Sequence, residues 1–257
     1  MELYPPSCKD DIKIFIAKEQ NGIFVIIMKS NRRLITYMNE LFEGREKCYR
    51  CYRPISSCMC KHVEPIVTRT KFVILMHPKE FKKTKNGTGR LTHLSLPNSE
   101  LYIDDDFSEH RAINALIENS DNLCYVLYPG KKSINLNTQI IDAQGKRIVI
   151  FIIDSTWACS VKMLRVSRNL QKLPQVSFTH SKTSQFLIKE QPEAYCLSTI
   201  ESTLSVLELL HQQGLEAIEE GAFDAFLNPF KSMVEYQIGC ALRSEESVRF
   251  KKRREED

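Results

Sequence analysis

Across 257 residues no apolar run reaches the roughly 18–20 residues that a membrane-spanning helix requires. The longest strings, such as Ile23 to Met28 and Ile148 to Ile153, are strand-sized. No Gly-x-Gly-x-x-Gly opens a helix after a strand, no Gly-x4-Gly-Lys-Ser/Thr loop occurs, and there is no Gly-x-Ser-x-Gly elbow. The usual fingerprints of a dinucleotide site, a nucleoside triphosphate site and a Ser-His-Asp hydrolase are therefore missing. The start, Met-Glu-Leu-Tyr-Pro-Pro, has neither the basic opening nor the apolar stretch of a secretory signal, so a cytoplasmic, reducing setting is expected. A strong excess of one charge is lacking too. Lys and Arg number 36 against 32 Asp and Glu, and the resulting +4 does not by itself imply a nucleic-acid partner. With 42% hydrophobic and 26% charged residues, the composition excludes collagen-like, coiled-coil and low-complexity classes. The length suffices to bury a large core.

Cysteine is what the chain does have. Five of nine (Cys8, Cys124, Cys159, Cys196, Cys240) are isolated and read as small apolar residues. The other four, Cys48, Cys51, Cys58 and Cys60, form C-x2-C-x6-C-x-C. In a reducing compartment such crowding points to metal before disulfide. Two thiolates two residues apart grip an ion from a tight turn, and a second close pair completes a tetrahedral shell. An all-sulfur set favours structural zinc, with iron the competing ion.

Charge is unevenly spread. From Arg45 to Arg90 twelve basic residues face three acidic ones, a surplus of nine that leaves −5 on the remainder. A cysteine knuckle followed by a basic, glycine-containing loop, Lys79 to Arg90, is a plausible phosphate-backbone footprint, and a merely solvated face is the competing reading. The run Arg249 to Arg254 reads as a solvated helix end.

Four regions are expected: an extension over 1–44, a four-cysteine module over 45–64, one α/β domain over 65–245 and a charged tail over 246–257. In the extension, Asn21-Gly22 between two apolar arms signals a hairpin, and Met28 is an alternative start. Beyond the module, short apolar runs alternate with helical stretches, which predicts a mostly parallel sheet with helices on both faces. The strands expected are Phe72–Met76, Leu101–Ile103, Cys124–Tyr128, Ile148–Ile153 and Val176–Phe178. The helices expected are His110–Asn119, Trp157–Ser167, Ser198–Gln213 and Pro229–Glu245. Open parallel sheets bind ligands at the carboxyl ends of their strands. Three loops there stand out: Pro129-Gly130, Asp154-Ser155-Thr156-Trp157, and the stretch from Gln191 to Glu201. Each has a structural reading as well, the first an ordinary turn, the second a helix N-cap and the third a capping box formed by Ser198 and Glu201.

Taken together, seven segments resemble the DTW-domain family, the tRNA-uridine aminocarboxypropyltransferases. They are the Cys48-to-Cys60 knuckle, Leu75-Met-His-Pro-Lys-Glu80, Gly89-Arg90-Leu91, Tyr125-Val-Leu-Tyr-Pro-Gly130, Asp154-Ser-Thr-Trp157 with Lys162-Met163, Gln191-Pro192, and Ser198-Thr-Ile-Glu201. Ser155, Val161 and Ser202 depart from the pattern, standing where Gly, a basic residue and Ala are expected. The resemblance implies a SPOUT-like α/β knot and transfer of the 3-amino-3-carboxypropyl group of S-adenosylmethionine to N3 of a uridine, releasing methylthioadenosine.

It further implies a catalytic role for Asp154, Thr156 and Trp157. Asp154 is the candidate base, because the uridine imide must lose its proton before it attacks. Donor contacts are implied at Leu127, Tyr128, Pro129, Gly130, Asp154, Ser155, Pro192, Ser198, Thr199 and Glu201. RNA contacts are expected at Arg50, Arg53, Lys82, Lys83, Lys85, Arg90 and Lys162, with Arg90 and Lys162 equally suited to the donor carboxylate. The partners expected are tRNA and S-adenosylmethionine, with no membrane and either a monomer or a homodimer. Two other functions remain open at this stage, a SPOUT-like RNA methyltransferase and a non-catalytic zinc-dependent RNA-binding protein.

Overall fold

The computed structural model describes residues 14–18, 24–28, 46–83, 86–180, 183–188, 196–219 and 221–243. The chain divides into two compact units, Met1–Glu46 and Lys47–Asp257. In the first, β1 (Ile14–Lys18) and β2 (Phe24–Met28) pair antiparallel, with Ile14 opposite Met28 and Lys18 opposite Phe24. This is the antiparallel pairing expected of the two apolar arms; the Asn21-Gly22 turn and the tail 246–257 lie outside the described residues.

In the second unit, six strands form one sheet: β3 (Lys71–Met76), β4 (Ser99–Ile103), β5 (Asn122–Leu127), β6 (Ile134–Asn135), β7 (Arg147–Asp154) and β8 (Gln175–Ser177). Their order is β4-β3-β7-β5-β8-β6, and every pairing is parallel. All five expected strands are present, each shifted or extended by a few residues at most. The period-two alternation of a strand explains how one apolar run serves two cores. In β7, Val149 and Phe151 enter one cluster while Ile148, Ile150 and Ile152 enter the other; in β3, Val73 and Leu75 part from Phe72 in the same way.

One face is covered by α3 (Arg111–Glu118), α4 (Trp157–Val166) and α5 (Arg168–Gln171) through Ile113, Met163 and Leu170. The other is covered by α2 (Thr88–Ser95), α6 (Thr199–Gln212), α7 (Ala222–Phe226) and α8 (Asn228–Arg243), which contribute Leu91, Val206, Leu210, Phe226, Phe230 and Met233. Near the amino end of β3, the buried Glu216 carboxylate accepts backbone N–H bonds from Arg69 at 2.8 Å and Thr70 at 2.6 Å.

The basic segment Lys79 to Arg90 departs from expectation. It is not a loop: α1 (Pro78–Lys83) fills its first half, and Gly87 is the N-cap of α2. The cause lies at His77, whose carbonyl accepts from Glu80 and Phe81 and whose Nδ1 accepts from Lys79, so the buried imidazole caps the helix. Pro78 follows at the first helical position, where its missing N–H costs nothing.

Candidate active site and metal centre

The cysteine module begins with a turn closed by two backbone bonds, Cys48 N–H to the Arg53 carbonyl and Tyr52 N–H to the Cys48 carbonyl, each 2.8 Å. Tyr52 takes φ +59°, a left-handed conformation that costs a non-glycine residue about 1 kcal/mol. Short 3-10 turns at Ile55–Ser57 and Cys60–His62 flank the second cysteine pair and return it to the first. The sulfurs of Cys48, Cys51, Cys58 and Cys60 all lie within 4.8 Å of one another. Cys48–Cys60 and Cys51–Cys58 are each separated by 3.7 Å. Four sulfurs about 2.3 Å from a tetrahedral zinc would stand about 3.8 Å apart, so the set fits a metal ion and is too open for disulfides. Backbone N–H groups of Cys51 and Arg50 pull the Cys48 thiol down to about 6, while burial pushes Cys58 and Cys60 up.

Arg53, expected to face RNA, is buried inside this module. Its Nε donates to the Ser57 carbonyl at 2.9 Å and its Nη1 to Asn86 Oδ1 at 3.4 Å. Arg90 is also occupied. Its guanidinium lies 4.6 Å from the Tyr52 ring centroid and 4.4 Å from that of Phe81, and Nη2 donates to the Phe81 carbonyl at 3.1 Å. The residue next to Cys51 is thereby joined to α1 and α2. Arg50 and Lys82 are exposed, as is Lys162, which pairs with Asp105 at 3.1 Å. The side chain of Lys83, and Lys85 and Pro192 as a whole, lie outside the described residues.

At the carboxyl ends of the central strands, Asp154 terminates β7 and is only 6% exposed. It does not cap α4; that position belongs to Thr156, whose side chain makes no capping bond. Instead Asp154 Oδ1 accepts from the Thr199 hydroxyl at 2.6 Å, at the start of α6. The carboxylate also lies directly over Gly89 in the first turn of α2, where a Cβ would collide with Oδ2. A first helical turn presents unpaired N–H groups, a favourable setting for a carboxylate.

Two cavities open around this residue. The larger, about 560 Å³, lies between Leu127, Tyr128 and Pro129 after β5, Ser177 to His180 after β8, and the Ser155–Trp157 turn. The smaller, about 180 Å³, is lined by Glu80, Asn86 to Thr88, Asp154 and Ser198. Ser155, Trp157, Cys196, Leu197 and Thr199 border both. Trp157, 44% exposed, points its Nε1 at Cys196 Sγ, 3.4 Å away, and stands edge-on to Tyr128 at 6.0 Å. The structure thus brings together Leu127, Tyr128, Pro129, Asp154, Ser155, Thr156, Trp157, Ser198 and Thr199.

Gly130 lines neither cavity, and nor does Glu201. The buried Glu201 carboxylate accepts from Ser198 N–H and hydroxyl and from the Ser184 hydroxyl and Gln185 N–H, at 2.6–2.9 Å, so it anchors the 183–188 segment as well as capping α6. Sequence reasoning missed the Ser177–His180 wall, and within the Gln191-to-Glu201 stretch it gave no site role to Cys196 or Leu197. These residues bear no chemical signature of their own; only their place beyond a strand end and before a helix marks them.

A profile of the DTW domain matches residues 45–238, more than half of the chain. A Mus musculus protein named tRNA-uridine aminocarboxypropyltransferase 2 is 30% identical over 200 residues, covering 76% of this chain and 65% of its own length. A Macaca fascicularis protein of the same name is 30% identical over 76% of this chain and 64% of its own length. One from Drosophila melanogaster is 26% identical over 80% of each. The chain therefore spans just under two thirds of the mouse and macaque proteins. No solved structure matches it.

Proposed function

The chain belongs to the DTW-domain family, and on that footing we propose that it transfers the 3-amino-3-carboxypropyl group of S-adenosylmethionine to N3 of a uridine in tRNA. The reaction class is supported by the relatives' names. The observation that carries the reading is Asp154: a buried carboxylate on the wall of a small cavity, which shares a rim with a cleft large enough for the donor.

The fit of that cleft is chemical as well as spatial. Its volume lies within the roughly 300–1,000 Å³ typical of small-molecule sites. Tyr128 and Trp157 offer flat apolar faces, and Ser177 and Thr199 offer hydroxyls. When bound, the donor supplies an electrophilic carbon attached to a sulfonium whose neutral thioether leaves without needing a proton. Asp154 accepts the imide proton of the uridine. Thr199 holds Oδ1 and so orients the carboxylate. Attack on the correct carbon of the sulfonium is a matter of alignment, set by the walls that hold donor and base. In the same reading the four cysteines hold structural zinc, with no open position for chemistry. A SPOUT-like chain threading, the division at about residue 65, a cytoplasmic setting and either a monomer or a homodimer belong to the proposal as well.

The test is incubation with unmodified tRNA and S-adenosylmethionine, followed by mass spectrometry of nucleosides and by-products. Aminocarboxypropyluridine with methylthioadenosine is expected. S-adenosylhomocysteine would replace the reading with methyl transfer, and no product across a panel of tRNAs would leave a binding protein. Asp154→Asn should lower kcat by roughly 10²–10⁴-fold, the usual range for a general base.

A further inference from the structure

An aromatic ring left in water by a folded module needs an explanation, because burying it is worth about 1.5–3 kcal/mol. Tyr49 is 93% exposed, and Tyr52 and Ile55, at 53% and 51%, follow within seven residues. The module does not use Tyr49 for its own packing: its interior is filled by Cys51, Met59 and the inward-turned Arg53. Yet the position of Tyr49 is well defined, because it sits between two cysteines of the metal set, inside the turn closed by the Cys48–Arg53 and Cys48–Tyr52 backbone bonds.

The charge around it is mostly positive, with Glu46 the one acidic residue between Arg45 and Lys61. Between Lys47 and Lys61 there is no acidic residue, and Lys47, Arg50 and Lys61 are all exposed. An exposed aromatic ring on a turn of fixed backbone, next in sequence to the exposed Arg50, complements an unpaired nucleotide, which offers a base face for stacking and a phosphate for pairing. A duplex keeps its bases stacked and offers no such face, so the fit is to a single-stranded loop or end of a folded RNA.

We infer that the exposed tip of the cysteine module is a stacking platform for an unpaired nucleotide of the RNA substrate, with Tyr49 under the base and Arg50 at the phosphate. The inference rests on the tRNA reading above and adds to it a docking point outside the two cavities.

The experiment uses the full-length, metal-loaded protein and an unmodified tRNA transcript, with affinity measured by fluorescence anisotropy over a series of salt concentrations. Tyr49→Ala should weaken binding roughly 5- to 100-fold, as for loss of one base–aromatic stack, with the salt dependence unchanged. Tyr49→Phe should bind as wild type. Arg50→Ala should reduce the slope of log affinity against log salt by about 0.7–0.9, as for one phosphate contact. Metal content and methylthioadenosine affinity should be the same in all three. Unchanged tRNA affinity in Tyr49→Ala, in a protein that still modifies tRNA, overturns this inference and leaves the function standing. A wild-type protein that neither binds nor modifies tRNA removes both.

Discussion

The Thr199 hydroxyl donates to Asp154 Oδ1 across 2.6 Å, joining the end of a central strand to the start of a helix 45 residues later. That bond fixes one oxygen of the carboxylate on the wall of the smaller cavity, through a threonine that borders both cavities. Thr199→Val removes the donor while keeping the shape. Loss of a hydrogen bond to a charged group is worth about 1.5–3 kcal/mol, so kcat should fall roughly 10- to 100-fold. Thr199→Ser should restore most of it. Steady-state kinetics of the three proteins would decide, and unchanged kcat in the valine variant would remove the orienting role.

Gly89 supplies a test in which propensity and packing disagree. An exposed helical Gly→Ala change normally stabilises by about 1 kcal/mol. Here the new Cβ would fall on the Asp154 carboxylate. Gly89→Ala should therefore lower the midpoint of thermal unfolding and abolish turnover, and a stabilised, active variant would contradict the close approach.

Removal of the metal should act on more than the cysteines. We expect one zinc per chain by elemental analysis. Cobalt substitution should give the intense visible absorption of a tetrahedral thiolate site. Cys51→Ser or exhaustive chelation should destabilise the protein, since metal affinity is folding free energy for so small a module.

Arg90 is held by geometry that lysine cannot copy, because a planar guanidinium lies against two tilted rings while its Nη2 donates to the Phe81 carbonyl, and a compact ammonium cannot do both. Arg90→Lys should cost about 1–2 kcal/mol of stability, measured by chemical denaturation, through loss of the Tyr52 and Phe81 contacts. An exposed phosphate-binding arginine would instead tolerate the change.

His93 gives a pH dependence. Burial, opposed by the Glu100 charge, holds its imidazole below the ordinary 6.5. The folded state then binds fewer protons than the unfolded chain. Its contribution is complete above about 6.5 and is lost as pH falls from there through the folded value. Between pH 7.5 and 5.5 the unfolding midpoint should drop more in the wild type than in His93→Gln. Equal slopes would show that His93 does not titrate in this window.

Much of the fold was readable because it depends on patterns of short range. A continuous apolar run of five or six residues marks a strand covered on both faces, which is why β3, β5 and β7 match expectation closely. The segment after β3 misled because its lysines and glycines suggest a loop. Its helices are started by a buried histidine cap and by the packing of Gly89 on Asp154, neither of which is a local preference. Thr156 and Asp154 show the same division: three adjacent residues could each cap α4 by composition, and the geometry chose the one that left Asp154 turned toward Thr199.

By itself the sequence determined the cysteine set, the strand-helix alternation, the basic character of residues 45 to 90 and the family. Only the tertiary structure decided which cations face outward. Arg50 and Arg53 stand three residues apart in one knuckle, equally charged and equally plausible as RNA contacts. One is exposed and the other lies buried against Ser57 and Asn86. Charge is a property of the residue, whereas exposure depends on what distant chain packs against it, and Asn86 is 33 residues away.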